Sequence, residues 1–159
     1  MDTQLTALRS REMLLEPEDL LEIAYEVGRD YPRWRSRLAE ADGEGSWIQL
    51  FRDGRLGVWA IGWHCMPPGA GYLDHEQVRG AVFVARGALT HEHARLGSAP
   101  HVVEVGAGNG FCFDEALYHR MHPVRDAGPT VTVHVFATPS RQTSQGDGSA
   151  CPALRLGLP

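Results

Sequence analysis

The stretch GAVFVARGALT, residues 80–90, consists of two short runs of small, β-branched and aromatic residues separated by an Arg-Gly pair. Such residues favour the pleated, half-buried surface of a β-strand, and glycine favours a turn at the boundary. The stretch therefore predicts consecutive strands over 80–84 and 88–93. Similar runs, bounded by Gly, Pro and Asp, predict five more strands: 47–51, 56–63, 101–105, 110–113 and 131–138.

Many short strands at close spacing are typical of a sandwich, barrel or jelly roll. The 159 residues suit one domain. Turn-forming residues dominate the end of the chain, which predicts a loose tail. We expect a helical cover over 1–45, a barrel over 46–140 and the tail over 141–159, all within one domain.

Two helices are expected ahead of the strands. Residues 16–19, Glu-Pro-Glu-Asp, suit a helix start, because proline in the first turn loses no hydrogen bond and acids favour the positive end of the helix dipole. Apolar residues then recur at helical spacing over 20–27, and Gly28 is expected to end the helix. A second short helix is expected over 34–41.

The charge and hydropathy of the chain argue against some classes of partner. Lys and Arg total 15 and Asp and Glu total 20, a net charge of -5, which argues against binding to nucleic acid. The sequence has no basic helix and no apolar run of about 18 residues, so nothing in it predicts an association with a membrane. The charged N-terminus lacks the apolar core of a signal peptide, and three cysteines without framework spacing indicate a reducing, cytoplasmic setting.

Eight histidines are many for a chain of this length, and some of them fall in recognisable motifs. The motifs are WAIGW at 59–63, GYLDH at 71–75, the stretch 80–90, YHRM at 118–121 and GPTVTVHVFATP at 128–139. In this order, over about 15–139, the chain resembles the cysteine dioxygenase-like (thiol dioxygenase) family of the cupin superfamily. The resemblance implies a mainly β fold, a single cupin β-barrel (jelly roll) with a short N-terminal helical cover.

The resemblance also implies a metal site and a reaction. In such families, three histidines hold Fe(II), and both atoms of O2 are added to a thiolate to give a sulfinate. The family's first metal motif is His-Asp-His, which here is Leu73-Asp74-His75. His75 thus keeps the second ligand position, whereas Leu73 cannot coordinate a metal at the first. His119, which precedes Arg120, matches the third position, so His75 and His119 are the expected metal ligands.

The third ligand has several candidates. A carboxylate from Glu76 or Asp74 would give a two-histidine, one-carboxylate site, and His64 is a further option. Water could complete the site, Ni(II) or Cu(II) could replace Fe(II) at imidazole ligands, or the site could be inactive.

Four other histidines lack the context of a metal motif. His91 and His93 form a His-x-His sequence, but they follow the element that the family places after the metal strand. We expect them at the solvent-facing end of a strand. His101 and His122 are expected to be surface residues.

One face of the last strand is expected to point at the metal. Thr132, His134 and Phe136 alternate with three valines, a pattern of a half-buried strand. The resemblance turns the Thr-His-Phe face toward the metal and makes His134 a catalytic group that orients substrate or oxygen, or moves a proton. Phe136 replaces a family tyrosine. With Gly80 at the other position, the cysteine–tyrosine crosslink of some family members cannot form.

The expected substrate pocket also departs from the family. On the strand with Trp47, Gln49 replaces the family's arginine clamp, so a substrate carboxylate would lose its charged, bidentate partner. Arg52 is expected to face the other way. Ile61, Trp63 and Phe136 are expected to line the pocket, with core packing as the alternative role for Trp47.

Together these features predict a metal-dependent oxygenase that uses O2 on a small thiol. Cysteine or a cysteine-derived compound is the expected substrate, in a specialised biosynthetic step whose chemistry has diverged from simple sulfinate formation. One divalent metal is expected, with Fe(II) first and Ni(II) or Cu(II) as alternatives, and a homodimer is a further option. The alternative function is a cupin that binds a small molecule without catalysis or without oxidation.

Overall fold

The computed structural model describes residues 15–41, 46–63 and 78–137 of the 159-residue chain. Two helices come first, α1 (Pro17–Arg29) and α2 (Tyr31–Glu40). Eight strands follow: β1 (Trp47–Arg52), β2 (Leu56–Gly62), β3 (Gly80–Arg86), β4 (Ala88–Arg95), β5 (His101–Gly106), β6 (Gly110–Phe113), β7 (Leu117–Pro123) and β8 (Val131–Ala137). A short 3-10 turn, Arg125–Ala127, lies between the last two strands.

The strands form two antiparallel sheets. The larger sheet has the order β1-β2-β8-β3-β6, and the smaller has the order β5-β4-β7. Asp53 closes the β1–β2 hairpin, since its backbone bonds to Leu56 and its carboxylate accepts hydrogen bonds from the backbone N–H groups of Arg55 and Leu56. Asp53 and Gly54 thus lie in the turn between these two strands.

Two apolar cores lie on opposite faces of the larger sheet. One lies between this sheet and the helices, and the other is the interior enclosed with the smaller sheet. On β8, Val131, Val133 and Val135 belong to the helix-side core, and Phe136 belongs to the interior core. Because strand side chains alternate, Thr132 and His134 also face the interior, as the sequence predicted.

Helix α1 packs on the larger sheet through a buried face that includes Leu20, Ile23, Ala24 and Val27. At its start, the backbone N–H of Glu16 donates to Oδ2 of Asp19 at 3.0 Å, which satisfies one free end of the helix. The prediction that Gly28 ends α1 was wrong by one residue, because the helix continues to Arg29.

The role of Gly28 is close packing. A Cβ at this position would lie 1.9 Å from Cδ1 of Phe83 on β3, so only glycine lets the helix approach the sheet this closely. The second helix begins at Tyr31, three residues before the predicted start, and Trp34 Nε1 donates to the backbone oxygen of Val27 at 2.9 Å. This bond ties α2 to the end of α1.

All seven predicted strands are present, with ends that differ by no more than a few residues. The eighth, β7, was missed, because its sequence LYHRMHP is polar and ends in proline. Its alternate residues His119 and Met121 are nevertheless buried. No helix in the described ranges is long and apolar enough to cross a membrane.

Candidate functional site

The interior core is mostly aromatic and aliphatic. It contains Trp59, Ile61, Trp63, Val82, Val84, Leu89, Val105, Phe113, Met121 and Phe136, with Trp47 packed against it. Ile61, Trp63 and Phe136 therefore line the interior, where the sequence placed the substrate pocket. Two groups of buried polar side chains interrupt this lining, one on each sheet.

The first polar group centres on His119 of β7. Its side chain is fully buried, and its ring lies 4.5 Å from that of Phe113. The other expected ligand, His75, lies outside the described residues, as do Leu73, Asp74, Glu76 and His64. The structure thus places one of the two predicted ligands inside the barrel.

His91 and His93 do not form a solvent-facing strand end, so that prediction was wrong. The register of the smaller sheet sets His93 opposite both His119 on β7 and His101 on β5. Directly opposed residues share a face, and so do residues two apart on one strand. His91 and His93 therefore face inward beside His119: His91 is 4% exposed and His93 is half-buried.

The imidazole rings form a row that runs from the interior to the surface, in the order His119, His91, His93 and His101. The ring centroids of His93 and His91 are 4.8 Å apart, and those of His93 and His101 are 5.7 Å apart. His101 is exposed, as predicted, and so is His122 on the outer face of β7. Among the described residues, the buried Nδ1 of His93 has no hydrogen-bond partner.

A direct hydrogen bond joins His91 to His119. Nε2 of His91 lies 2.9 Å from Nδ1 of His119, a hydrogen bond between two buried rings. The His91 ring also stacks on Phe111 at 3.7 Å between centroids, with an interplanar angle of 11°. Burial, with a smaller contribution from the charge of His93, lowers the pKa of His91 to about 3, so its imidazole is neutral at pH 7.

The second polar group lies on the larger sheet. Trp63 Nε1 donates to Oγ1 of Thr132 at 2.8 Å, and Oγ1 lies 2.8 Å from Nε2 of His134. An indole N–H can only donate, so the simplest arrangement has the Thr132 hydroxyl accept from Trp63 and donate to His134. All three side chains are buried.

The edge strand β1 carries a β-bulge that changes which residues face inward. Gln49 pairs with Trp59, but the register shifts before Phe51, and Arg52 pairs with Gly57. Since Gly57 and Trp59 lie two apart on β2, Arg52 shares the face of Gln49. The expectation that Arg52 faces the other way was therefore wrong, because the bulge inserts one residue. Gln49 and Arg52 are both exposed.

Within the described residues, no three His, Cys, Asp or Glu side chains are arranged to hold a metal ion. Cys112 is a half-buried free thiol on β6, and burial raises its pKa, so it is not an activated nucleophile. Among the described residues of the interior, the side chains best suited to coordinate a metal ion are therefore the histidines.

Comparison with known proteins identifies the fold. No protein-family model and no curated protein sequence matches the chain. The cupin domain of Schizosaccharomyces pombe Cnp3 matches at TM-score 0.50 and 11% identity, over 65% of this chain and 68% of that one. The TT1209 protein of Thermus thermophilus also matches at TM-score 0.50, with 16% identity, over 65% of this chain and 93% of that one.

The hydroxypropylphosphonic acid epoxidase of S. wedmorenis matches at TM-score 0.48 and 15% identity, over 56% of this chain. The match spans 48% of the epoxidase, about half its length. Likeness at these identities concerns the fold alone. With two antiparallel sheets around one interior, the chain has the cupin jelly-roll fold, as the sequence predicted.

Proposed function

We propose that this protein is a metal-dependent cupin oxygenase that uses O2 on a small thiol, cysteine or a cysteine-derived compound. The resemblance of its motifs to the thiol dioxygenase family supports the reaction type. The observation that carries the proposal is His119, a fully buried imidazole in a mostly apolar barrel interior. Fold alone does not define chemistry, so the argument depends on this site.

His119 and His75 are the proposed ligands of one divalent ion. Imidazole suits Fe(II), which we expect, as well as Ni(II) and Cu(II). Because Nδ1 of His119 lies against His91, a metal ion would bind this residue through Nε2. When bound, the ion would bring thiol and O2 together and lower the pKa of the thiol.

His134 is the proposed acid–base group. Its Nε2 is held by the Thr132 hydroxyl, which Trp63 fixes in turn. A ring held in this way keeps one orientation and one tautomer, which suits the transfer of a proton to or from a substrate in the interior. Phe136 stands two residues along the same face and supplies no phenol hydroxyl.

The expected pocket lining offers few polar groups to the substrate. Ile61, Trp63 and Phe136 offer only apolar surface and one indole N–H, which is already bonded to Thr132. Gln49 is the proposed hydrogen-bonding partner of a substrate polar group. The bulge on β1 brings the positive charge of Arg52 to the same face, so Arg52 is a second candidate partner for a carboxylate.

The test is metal analysis followed by oxygen-electrode assays with cysteine and related thiols. We expect about one metal ion per chain and thiol-dependent O2 uptake. In His119→Ala, both should be lost. His122→Ala is the matched control, because His122 lies on the same strand but is exposed on the outer face, and it should behave as wild type.

Full metal occupancy in His119→Ala would show that the site is wrong. Stoichiometric metal with no O2 uptake on any thiol would instead favour a cupin that binds a small molecule without oxidation. His134→Gln separates binding from turnover: we expect it to retain metal and lose about 10²–10⁴-fold in kcat, the usual contribution of a general acid or base.

A further inference from the structure

The structure gives His119 a partner that the sequence motifs did not indicate. The Nε2 atom of His91 lies 2.9 Å from Nδ1 of His119, and both residues are buried, at 4% and 0% exposure. We propose that His91 is a positioning residue. It accepts a hydrogen bond from Nδ1–H of His119 and thereby fixes the tautomer in which Nε2 of His119 carries the lone pair for a metal ion.

Proton counting leaves two possible directions for this hydrogen bond. Two neutral imidazoles that share one N–H···N bond have one donor and one acceptor nitrogen at the contact. If His119 donates from Nδ1, its Nε2 has no proton and can coordinate. If His91 donated instead, His119 would carry its proton on Nε2 and could not be a ligand. The inference thus rests on the proposed function, in which His119 binds a metal.

The acceptor is itself held in place. The His91 ring stacks on Phe111 at 3.7 Å between centroids. In the pairing of β4 with β7, His91 lies opposite Met121. A ring fixed by packing offers its lone pair in one direction, which is what a metal-binding histidine needs from the group that orients it. An acceptor from another histidine also adds no negative charge, unlike the carboxylates that often take this place.

Three variants test the role of His91. His91→Phe keeps the flat ring for stacking but removes the acceptor, and we expect its metal affinity, measured by competition with a chelator for Co(II), to fall about 10–100-fold. His91→Gln restores an acceptor oxygen and should recover most of the affinity. His93→Phe, the same change two residues along the same face, should stay close to wild type.

A second measurement needs no metal. Long-range ¹H–¹⁵N correlation spectra of the metal-free protein report which nitrogen of His119 is protonated. We expect Nδ1–H in the wild type and in His91→Gln, and loss of this preference in His91→Phe. His119 with its proton on Nε2 in the wild type would overturn the inference.

The two proposals fail in different ways. If the wild type binds no Co(II), the proposed function fails, whereas the spectra still decide the tautomer. If His119→Ala abolishes binding but His91→Phe binds as tightly as the wild type, His119 is a ligand and His91 does not position it.

Discussion

Gly28→Ala should destabilise the fold, although alanine is the better helix former. Gly28 lies in the last turn of α1, buried against the larger sheet. A Cβ there would lie 1.9 Å from Cδ1 and 2.3 Å from Cε1 of Phe83. The helix would need to retreat by about 1.5 Å to reach the 3.4 Å of ordinary contact, or the Phe83 ring would need to turn.

The ring has little room to turn. Phe83 is 4% exposed, and its ring packs at 4.8 Å from that of Tyr25. Replacing glycine by alanine within a helix gains about 1 kcal/mol, whereas overpacking a filled core costs about 1–3 kcal/mol. Because the Phe83 ring is held by its packing against Tyr25, we take a cost near the upper end of this range. The expected net loss in the free energy of unfolding is about 2 kcal/mol.

Urea unfolding at pH 7.5 measures this loss as a lower midpoint at unchanged slope. Gly106→Ala is the control, since its Cβ would meet nothing within 4 Å, and it should stay within about 0.5 kcal/mol of wild type. In a Phe83→Leu background, the cost of Gly28→Ala should shrink, because the smaller side chain leaves space. A Gly28→Ala variant more stable than wild type would refute the packing argument, leaving helix propensity as the dominant effect.

Two further predictions concern the buried polar groups. The folded-state pKa of His91, about 3, lies below the unfolded value of about 6.5, so protons favour the unfolded chain, and the stability present above pH 6.5 is lost as the pH falls toward 3. At pH 4, protonation of His91 should lower the free energy of unfolding, measured in urea titrations, by about 3 kcal/mol. If the free energy of unfolding of His91→Gln fell with pH as steeply as that of the wild type, the assignment to His91 would be contradicted. Thr132→Val leaves the buried Trp63 indole without its acceptor and removes the bond to His134, so it should cost about 2–4 kcal/mol at pH 7. Thr132→Ser should retain most of that stability, and equal midpoints for the two variants would mean that the hydroxyl does not hold the network.

The strand pattern could be predicted because most strands carry it locally. On β8, the alternation of three valines with Thr132, His134 and Phe136 predicted both the strand and its two faces. Strand β7 carries no such signal, because one of its two buried residues, His119, is polar and one of its exposed residues, Tyr118, is aromatic. The burial of His119 follows from the position of β7 in the tertiary structure and not from its local sequence.

The environment of His119 could not be predicted from local sequence. That His91 lies beside it depends on the register between β4 and β7, which is set by strands that are distant in the chain. One local signal existed: Leu89, His91 and His93 share one face of a strand, and leucine usually faces a core. The bulge that places Arg52 on the same face as Gln49 is likewise a property of the β1–β2 pairing.

The burial of these polar groups favours a functional explanation over a structural one. Burying an imidazole or hydroxyl is unfavourable unless it is hydrogen-bonded, and apolar residues of similar shape would fill a barrel interior at no such cost. The chain nevertheless places a His91–His119 pair on one sheet and a Thr132–His134 pair on the other, each bonded and facing the same interior. A core built for stability alone needs neither pair. The two pairs are consistent with the proposed site, in which His119 would hold an ion on one side and His134 would exchange a proton on the other.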